Sequence, residues 1–292
     1  MAVYFASGRG IYMLGSVAQA IALTAYGNAV LQGAHAADGA HFYPSNSVFQ
    51  FCECVSFVDT AGTLGTTSST EWAKDPIRWF ERLKQKEVHA LRLHYGSQGG
   101  RTVGSDQVPE RMLAGFVGGG GRWLIEAIDR SGSDYWEARW ELGDRSRSDR
   151  RIWRVTYGRI AADQPTNAHL SQDLGALKRA LETALREIGS YARAHQLVNF
   201  ATLFECSRAQ LSADAPGDGA DYPDLAPPGQ LALTAQQLLA ASQVAWVFGG
   251  MGSWNDYSPP QADAQEYKRV SEQLFALLNQ SYAAAANAAV AH

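Results

Sequence analysis

The sequence predicts an α+β fold in which helices from both ends of the chain cover one face of an antiparallel-dominated sheet. Segments in the middle of the chain alternate large and polar residues with the period of two that a strand requires. Beyond Thr166, apolar residues recur every three or four positions, which indicates helices. The 292 residues are 46% hydrophobic and 18% charged, an ordinary globular composition that excludes general disorder.

A tryptophan-rich meander of three strands forms the centre of the predicted sheet. Its strands cover residues 122–129, 134–142 and 151–157, and turn residues separate them. Because aromatic rings bury large apolar areas, their shared face predicts a floor on which helices pack. The residues of that face are Trp123, Ile125, Ala127, Trp136, Ala138, Trp140, Leu142, Trp153, Val155 and Tyr157.

The segment before the meander supplies further strands and helices. We expect a buried helix over residues 12–31, whose small residues recur at three- and four-residue spacing. A long strand over 48–58 follows, and then Asp75-Pro76 predicts a helix start with Asp at the N-cap and Pro in the first position. A strand over 88–95 completes a strand–helix–strand unit.

The C-terminal half is predicted to be helical. A heptad seam runs over residues 170–191, and the absence of Pro and Gly up to Ala215 predicts that this helix continues. Thr234 and Gln237 form a capping-box pattern for a helix that runs to Phe248, and a last helix begins at Asp263. We expect a single domain over 1–292, with a sheet-rich half at 1–160 and a helical half at 167–292.

Charge and cysteine content restrict the partners and the compartment. A formal charge of −4 and a pI near 6.0 give no bulk attraction to nucleic acid or to anionic membranes. Three cysteines are too few for a disulfide scaffold, so we expect a cytoplasmic protein. The uncharged segment 11–33 precedes a small-x-small pattern at 34–36. This segment contains too many polar residues to be a secretory signal or a membrane span, which favours a buried helix.

The loop at residues 249–256 is the first candidate for a functional site. Its glycines, followed by Trp, Asn and Asp, suit close approach of the backbone to a ligand or to another part of the chain. A helix stop explains the glycines as well, and packing is the favoured alternative. Candidate substrate-binding residues here are Gly250, Gly252, Ser253, Trp254 and Asn255, and Asp256 is a candidate catalytic residue.

Arg92 and His94 are the second part of the candidate site because they share one face of a predicted strand. A cationic pair at a strand end can hold a carboxylate or a phosphate, and a plain surface pair is the alternative. We take Arg92 as substrate-binding and His94 as catalytic. Arg9, in a glycine turn before the first helix, is a further candidate substrate-binding residue.

No motif in the chain predicts a metal or a cofactor. Cys52 and Cys54 lie on one strand, whereas structural zinc usually takes its cysteines from CxxC-type turns, so we expect buried thiols. The nucleotide-binding, hydrolase and metalloprotease signatures are absent. The arginine-rich hairpin at 145–159 indicates a solvated charged surface in preference to a nucleic-acid interface, because the tryptophans are assigned to the core.

Two functional hypotheses of different class follow. The first is a self-associating or partner-binding protein, with a homo-oligomer as one possibility, based on the small-residue face of the first helix, the heptad seam and the alanine-rich C-terminus. The second is an enzyme that binds a small polar or anionic molecule in a pocket between the sheet and the C-terminal helices.

Overall fold

The computed structural model describes residues 15–33, 42–60, 69–103, 106–116, 119–166 and 172–288; for 101–103 and 106–107 it describes the backbone alone. The helices of these residues are α1 (Gly15–Leu31), α2 (Pro76–Gln85), α3 (Glu110–Leu113), α4 (Leu174–Ala194), α5 (Val198–Ser212), α6 (Leu233–Val244) and α7 (Ala264–Asn287). The strands are β1 (Cys52–Asp59), β2 (Thr70–Ala73), β3 (Ala90–Gly96), β4 (Arg101–Val103), β5 (Asp106–Val108), β6 (Arg122–Ile128), β7 (Ser133–Leu142) and β8 (Trp153–Gln164).

Within the described residues the main sheet is six-stranded and mostly antiparallel, which confirms the α+β class. Its order is β2-β1-β8-β7-β6-β3, and β1 runs parallel to β8 while the other neighbours are antiparallel. β4 and β5 form a separate hairpin. β1, α2 and β3 follow one another in the predicted order, with β2 between β1 and α2. β1 and β3 are not neighbours in the sheet, because β8, β7 and β6 lie between them.

Helices contact the sheet in two places. α1 and α7 lie against β3, and α2 lies against β1. Trp136 of β7 is fully buried, and its ring packs on Phe57, Trp72 and Trp79 from β1, β2 and α2. These ring contacts come from the first half of the chain, and the covering of the whole tryptophan face by the C-terminal helices stays a prediction.

The strand predicted to begin at Val48 begins at Cys52 instead. Ser47–Phe49 is a turn of 3-10 helix, capped by the Asn46 side chain, which accepts a hydrogen bond from the Val48 N–H at 3.1 Å. Asp224, far along the chain, accepts a bond from the Ser47 N–H at 2.9 Å. This distant carboxylate holds the segment in a turn, which alternation of side chains alone does not predict.

The long C-terminal helix predicted past residue 191 is divided into α4 and α5. Gln196 adopts a left-handed conformation with φ of 58°. The Gln196 N–H donates to the Arg193 carbonyl, and the Leu197 N–H donates to the Ala192 carbonyl at 2.8 Å. This is the hydrogen-bond pattern of a Schellman turn, in which glycine usually holds the left-handed position. Glutamine gives no such signal in the sequence.

The capping box predicted at Thr234 and Gln237 does not form. α6 begins at Leu233, and no side chain caps it. Gln237 instead donates to the Ala213 carbonyl at 2.8 Å and accepts from the Lys178 ammonium at 2.6 Å. By contrast, Asp75 caps α2 and Pro76 is its first residue, so that predicted helix start is confirmed.

Helices α4 to α7 pack on one another, and α7 connects this group to β3. The heptad-seam residues Leu181 and Ile188 are fully buried within the chain. The same is true of Ala22 and Ala25 on the small-residue face of α1. Within the described residues, no helix has both the length and the apolar character that a bilayer crossing requires.

Candidate functional site

Arg92 and His94 lie on the face of β3 that points away from the helices. Leu91 and Leu93 are buried on the helix side, where a Cβ placed on Gly27 of α1 would come within 2.3 Å of the Leu91 side chain. Side chains of a strand alternate between its two faces. Arg92 and His94 therefore share the opposite face, as the sequence predicted.

A buried carboxylate lies between these two residues and the rest of the sheet. Glu126 of β6 is the register partner of Arg92 on one side and of Tyr135 of β7 on the other. Its side chain has no exposed surface, although it lies on the sheet face opposite to α1 and α7. We call Arg92, His94, Glu126 and Tyr135 the Glu126 cluster.

Both carboxylate oxygens of Glu126 have hydrogen-bond partners. His94 Nε2 lies 2.7 Å from Oε2, and the Tyr135 hydroxyl donates to Oε1 at 3.1 Å. Burial and the negative charge of Glu126 raise the pKa of Tyr135 above its ordinary value. A carboxylate without exposed surface needs such partners, because burying an unpaired charge costs several kcal/mol. The imidazole is thereby held in one orientation.

The exposed end of the cluster carries two groups that can meet a ligand. The His94 side chain keeps 32% of its surface exposed. Arg92 is half-buried, and within the described part of the chain its guanidinium has neither a hydrogen-bond nor an ion-pair partner. An arginine beside a carboxylate-held imidazole combines an anion-binding group with a proton donor or acceptor.

Trp254, in the 249–256 loop, is part of the hydrophobic core. It is fully buried, and its indole N–H donates to the Ser271 hydroxyl at 2.8 Å, while Tyr267 donates to its carbonyl at 2.5 Å. Five aromatic rings surround it: Tyr191, Phe200, Phe204, Tyr257 and Tyr267. Packing explains this residue fully, as the alternative interpretation of the loop expected.

Asn255 and Asp256 of the loop are also bonded to the protein itself, whereas the buried Ser253 hydroxyl has no hydrogen-bond partner among the described residues. Asn255 accepts from the Arg111 guanidinium at 2.6 Å and donates to the Arg111 carbonyl at 2.9 Å. Asp256 accepts from the Gly252 N–H at 2.6 Å. A Cβ on Gly249, whose φ is +98°, would come within 2.5 Å of the Gly115 Cα. The glycine at 249 therefore serves close approach of two chain segments.

The two parts of the candidate site, the 249–256 loop and the Arg92–His94 pair, are in different surroundings. The 249–256 loop contacts α3 through Arg111 and α7 through Ser271 and Tyr267. Arg92 and His94 are on the opposite side of the sheet from α7, and no contact among the described residues joins them to the loop. Arg9 lies outside the described residues. A common pocket for all these residues stays a prediction.

Glu126 and Tyr135 were not singled out as site residues from the sequence. The available signal was their alternation, since each lies one position away from a tryptophan-face residue and so projects from the other face. Placing them beside Arg92 also requires β3 to pair with β6 in the observed register. That pairing joins segments about thirty residues apart, and local patterns do not define it.

A cavity of about 310 Å³ lies elsewhere, between the 216–231 segment and α6. Prolines 216, 223, 227 and 228, with Leu225 and Leu239, form much of its wall. None of the candidate site residues lines it.

Metal-binding groups are not found among the described residues: no three His, Cys, Asp or Glu side chains come together in a way that could hold an ion. Cys52 is buried, and burial raises the pKa of its thiol to about 12, which makes it an unreactive thiol. Exposed arginines of the 145–159 hairpin pair with carboxylates, as Arg147 does with Asp149 and Arg154 with Glu53. Comparison of the chain with protein-family models, with curated proteins and with solved structures finds no significant match.

Proposed function

We propose that this protein is an enzyme that binds a small anionic substrate on the sheet face opposite to α1 and α7 and that transfers a proton with His94. The observation that carries the proposal is the 2.7 Å contact between His94 and the fully buried Glu126, with Arg92 directly across the strand pair. Buried carboxylates that orient an exposed imidazole are typical of acid–base sites.

Each member of the Glu126 cluster has a distinct role in this proposal. Arg92 binds the anionic group of the substrate through its planar, two-pronged guanidinium. His94 accepts or donates the proton, and Glu126 orients the imidazole and stabilises it when it is charged. Tyr135 holds the second oxygen of Glu126, so that the carboxylate stays directed at His94.

Support for the partner-binding hypothesis is weaker, because each feature that suggested it has a use inside the chain. Ala22 of α1, Leu181 of the heptad seam and Ala285 of the alanine tract all have no exposed surface. An apolar face that packs within the domain supplies no surface for a second protein. No other described feature favours a homo-oligomer.

Anion binding tests the proposal first. We expect inorganic phosphate or a small carboxylate such as acetate to shift the NMR resonances of the His94 ring in a saturable way. The Arg92→Gln variant is expected to lose at least about tenfold in affinity, because a charge-assisted hydrogen bond contributes about 1.5–3 kcal/mol. Arg139→Gln is the matched control, since Arg139 lies on the same face but is 80% exposed.

Catalysis is tested with a panel of small carboxylate and phosphate-bearing substrates. For any substrate that is turned over, we expect His94→Gln to lower kcat by about 10²–10⁴-fold, the usual contribution of general acid–base catalysis. Arg92→Gln is expected to raise KM more than it lowers kcat. The exposed His89 serves as the control through His89→Gln. Anion binding that survives Arg92→Gln, or turnover that survives His94→Gln, would contradict the proposal.

A further inference from the structure

The cavity between the 216–231 segment and α6 shares no lining residue with the Glu126 cluster. Its volume of about 310 Å³ lies within the range of roughly 300–1,000 Å³ that is usual for small-molecule sites. The segment lines it with Pro216, Pro223, Pro227 and Pro228, and α6 lines it with Leu239, Ala240 and Gln243. Proline has a fixed φ angle and no N–H group, so much of the wall is stiff and lacks backbone donors.

Hydrogen bonds fix the 216–231 segment to other parts of the chain. The Gly217 N–H donates to the Gln210 side chain of α5 at 2.8 Å. The Asn46 side chain, from the turn before β1, donates to the Asp224 carbonyl at 2.6 Å. Because these bonds hold the segment at two points, the cavity is formed before a ligand arrives. A preformed site avoids the free-energy cost of ordering a loop on binding.

Gln243 is the polar group that gives this cavity its specificity. The residue is 6% exposed, and its Oε1 accepts a hydrogen bond from the Tyr222 N–H at 3.0 Å. Since an N–H must pair with the oxygen of the amide, this bond fixes which end of the side chain is which. The Gln243 Nε2 has no hydrogen-bond partner among the described residues. A buried donor in a cavity wall is satisfied when a ligand supplies an acceptor.

The charge around the cavity favours an uncharged ligand. None of the residues that line it has a charged side chain. Residues 214–243 contain four aspartates and neither lysine nor arginine, so an anion would meet negative charge without a cation to pair with. An organic cation would lose its hydration without a carboxylate in the wall, which is costly. Burial, and then the charge of Asp221, raise the pKa of Tyr222, so this lining side chain is also neutral.

We infer that this cavity is a binding site for small uncharged molecules in which a carbonyl group is attached to an apolar ring. The Gln243 Nε2 donates to the carbonyl oxygen of the ligand. The ring lies against the prolines, Leu225 and Leu239, where it buries apolar surface. Aromatic amides are the simplest members of this class.

Three probes with the same ring and different charge test the inference on the full-length protein by NMR. Benzamide is uncharged, benzoate is an anion and benzylamine is a cation at neutral pH. We expect benzamide to shift the Gln243 side-chain amide signals in a saturable way, and the other two probes to leave these signals unchanged at the same concentrations. A benzoate effect at His94 would concern the proposed anion site alone, so the two proposals can fail independently.

The Gln243→Glu variant tests the donor. Its carboxylate still accepts from the Tyr222 N–H, but it has no N–H to offer a carbonyl oxygen and repels it. We expect the affinity for benzamide to fall at least about tenfold, with the Leu239 backbone amide as the reporter. Gln261→Glu is the matched control, because Gln261 is exposed, lies outside the cavity and gains the same charge. It is expected to keep the wild-type affinity.

Ala240→Leu tests the space and leaves every side-chain hydrogen bond of the 216–231 segment in place. Ala240 is buried in the wall, so a leucine there fills part of the cavity. We expect this variant to lose benzamide binding without a fall in the free energy of unfolding. Benzamide that leaves the Gln243 signals unchanged would overturn the inference. So would benzoate or benzylamine binding as tightly as benzamide at Gln243, or wild-type affinity in either Gln243→Glu or Ala240→Leu.

Discussion

The 249–256 loop and the Arg92–His94 stretch of β3 both combine polar residues with nearby glycines, yet their surroundings differ. In the loop, Trp254 is enclosed by aromatic rings, and Asn255 is bonded in both directions to Arg111. On the strand, His94 faces a buried carboxylate and keeps a third of its side chain exposed.

The difference lies in which groups remain available to a ligand. In the loop, Asn255 is bonded to Arg111 of α3, whereas Asp256 is bonded to Gly252 of the loop itself. On the sheet, Glu126 orients a group that solvent can still reach. Buried polar groups that are fully paired rigidify a structure. A buried charge next to an exposed acid or base instead orients that group and affects how readily it gains or loses a proton. Glycine content alone does not distinguish the two cases.

The largest expected effect comes from Trp254→Ala. Removing a fully buried indole leaves a cavity inside the ring cluster, so we expect the free energy of unfolding to fall by about 3–5 kcal/mol. Denaturant titration measures this. Met251→Ala, in the same loop but 70% exposed, is expected to stay within about 0.5 kcal/mol of the wild type. Equal stability of the two variants would mean that the loop is not a packing element.

Glu126→Gln is expected to have an intermediate effect of a different kind. Glutamine keeps the size of the side chain but removes the negative charge that, with burial, raises the pKa of Tyr135. We therefore expect the Tyr135 pKa to fall and the free energy of unfolding to drop by about 1–3 kcal/mol. NMR titration of the tyrosine ring measures the first quantity. Glu137→Gln, on the same face and paired with Arg122, is the control and should leave Tyr135 unchanged.

The smallest effect concerns His195, which lies beside Tyr191 and Tyr257, two of the rings that surround Trp254. Its Nδ1 is 2.9 Å from the Tyr191 carbonyl and its Nε2 is 3.2 Å from Asp263. The carbonyl first, and then the carboxylate, raise the pKa of His195 above its ordinary value near 6.5. A raised folded-state pKa stabilises the protein below the unfolded pKa, and this stabilisation disappears as the pH rises through the folded pKa.

For that reason, His195→Gln should be less stable than the wild type below about pH 6, and the difference should shrink above about pH 8. Denaturant titrations across this range measure the change. His89→Gln, which alters an exposed histidine just before β3, is the control. A difference that is independent of pH would show that His195 acts by packing on Tyr191 and not by its charge.

Patterns over a few residues correctly predicted elements whose hydrogen bonds join residues that are close in the chain. Asp75 and Pro76 start α2 because the capping carboxylate and the helix it caps are adjacent in the chain. The same rules failed where a distant group intervened. Asp224 binds Ser47 at the start of a turn that includes Val48 and Phe49, which alternation had assigned to a strand. Lys178 and the Ala213 carbonyl bind the Gln237 side chain that a capping box would use.

In the candidate site, too, one part follows from local pattern and another depends on a distant segment. Alternation along one strand placed Arg92 and His94 on a common face, and this part needed only the period of two. The carboxylate that gives them a chemical role came from another strand. Backbone pairing between strands is the same for almost every residue, so the register of β3 on β6 depends on how their side chains pack.

By itself, the sequence determined the α+β class and the common face of Arg92 and His94, because both depend on periodicity within short segments. The tertiary structure alone decided the pairing of β3 with β6 and of β1 with β8, the burial of Glu126, and the hydrogen bonds that Asn28 and Asn287 form with the backbone of β3. The contact of His94 with Glu126 and the hydrogen bond of Asn287 with Leu93, for example, join residues that are 32 and 194 positions apart. Their energies come from desolvation and packing in three dimensions, which no local pattern contains.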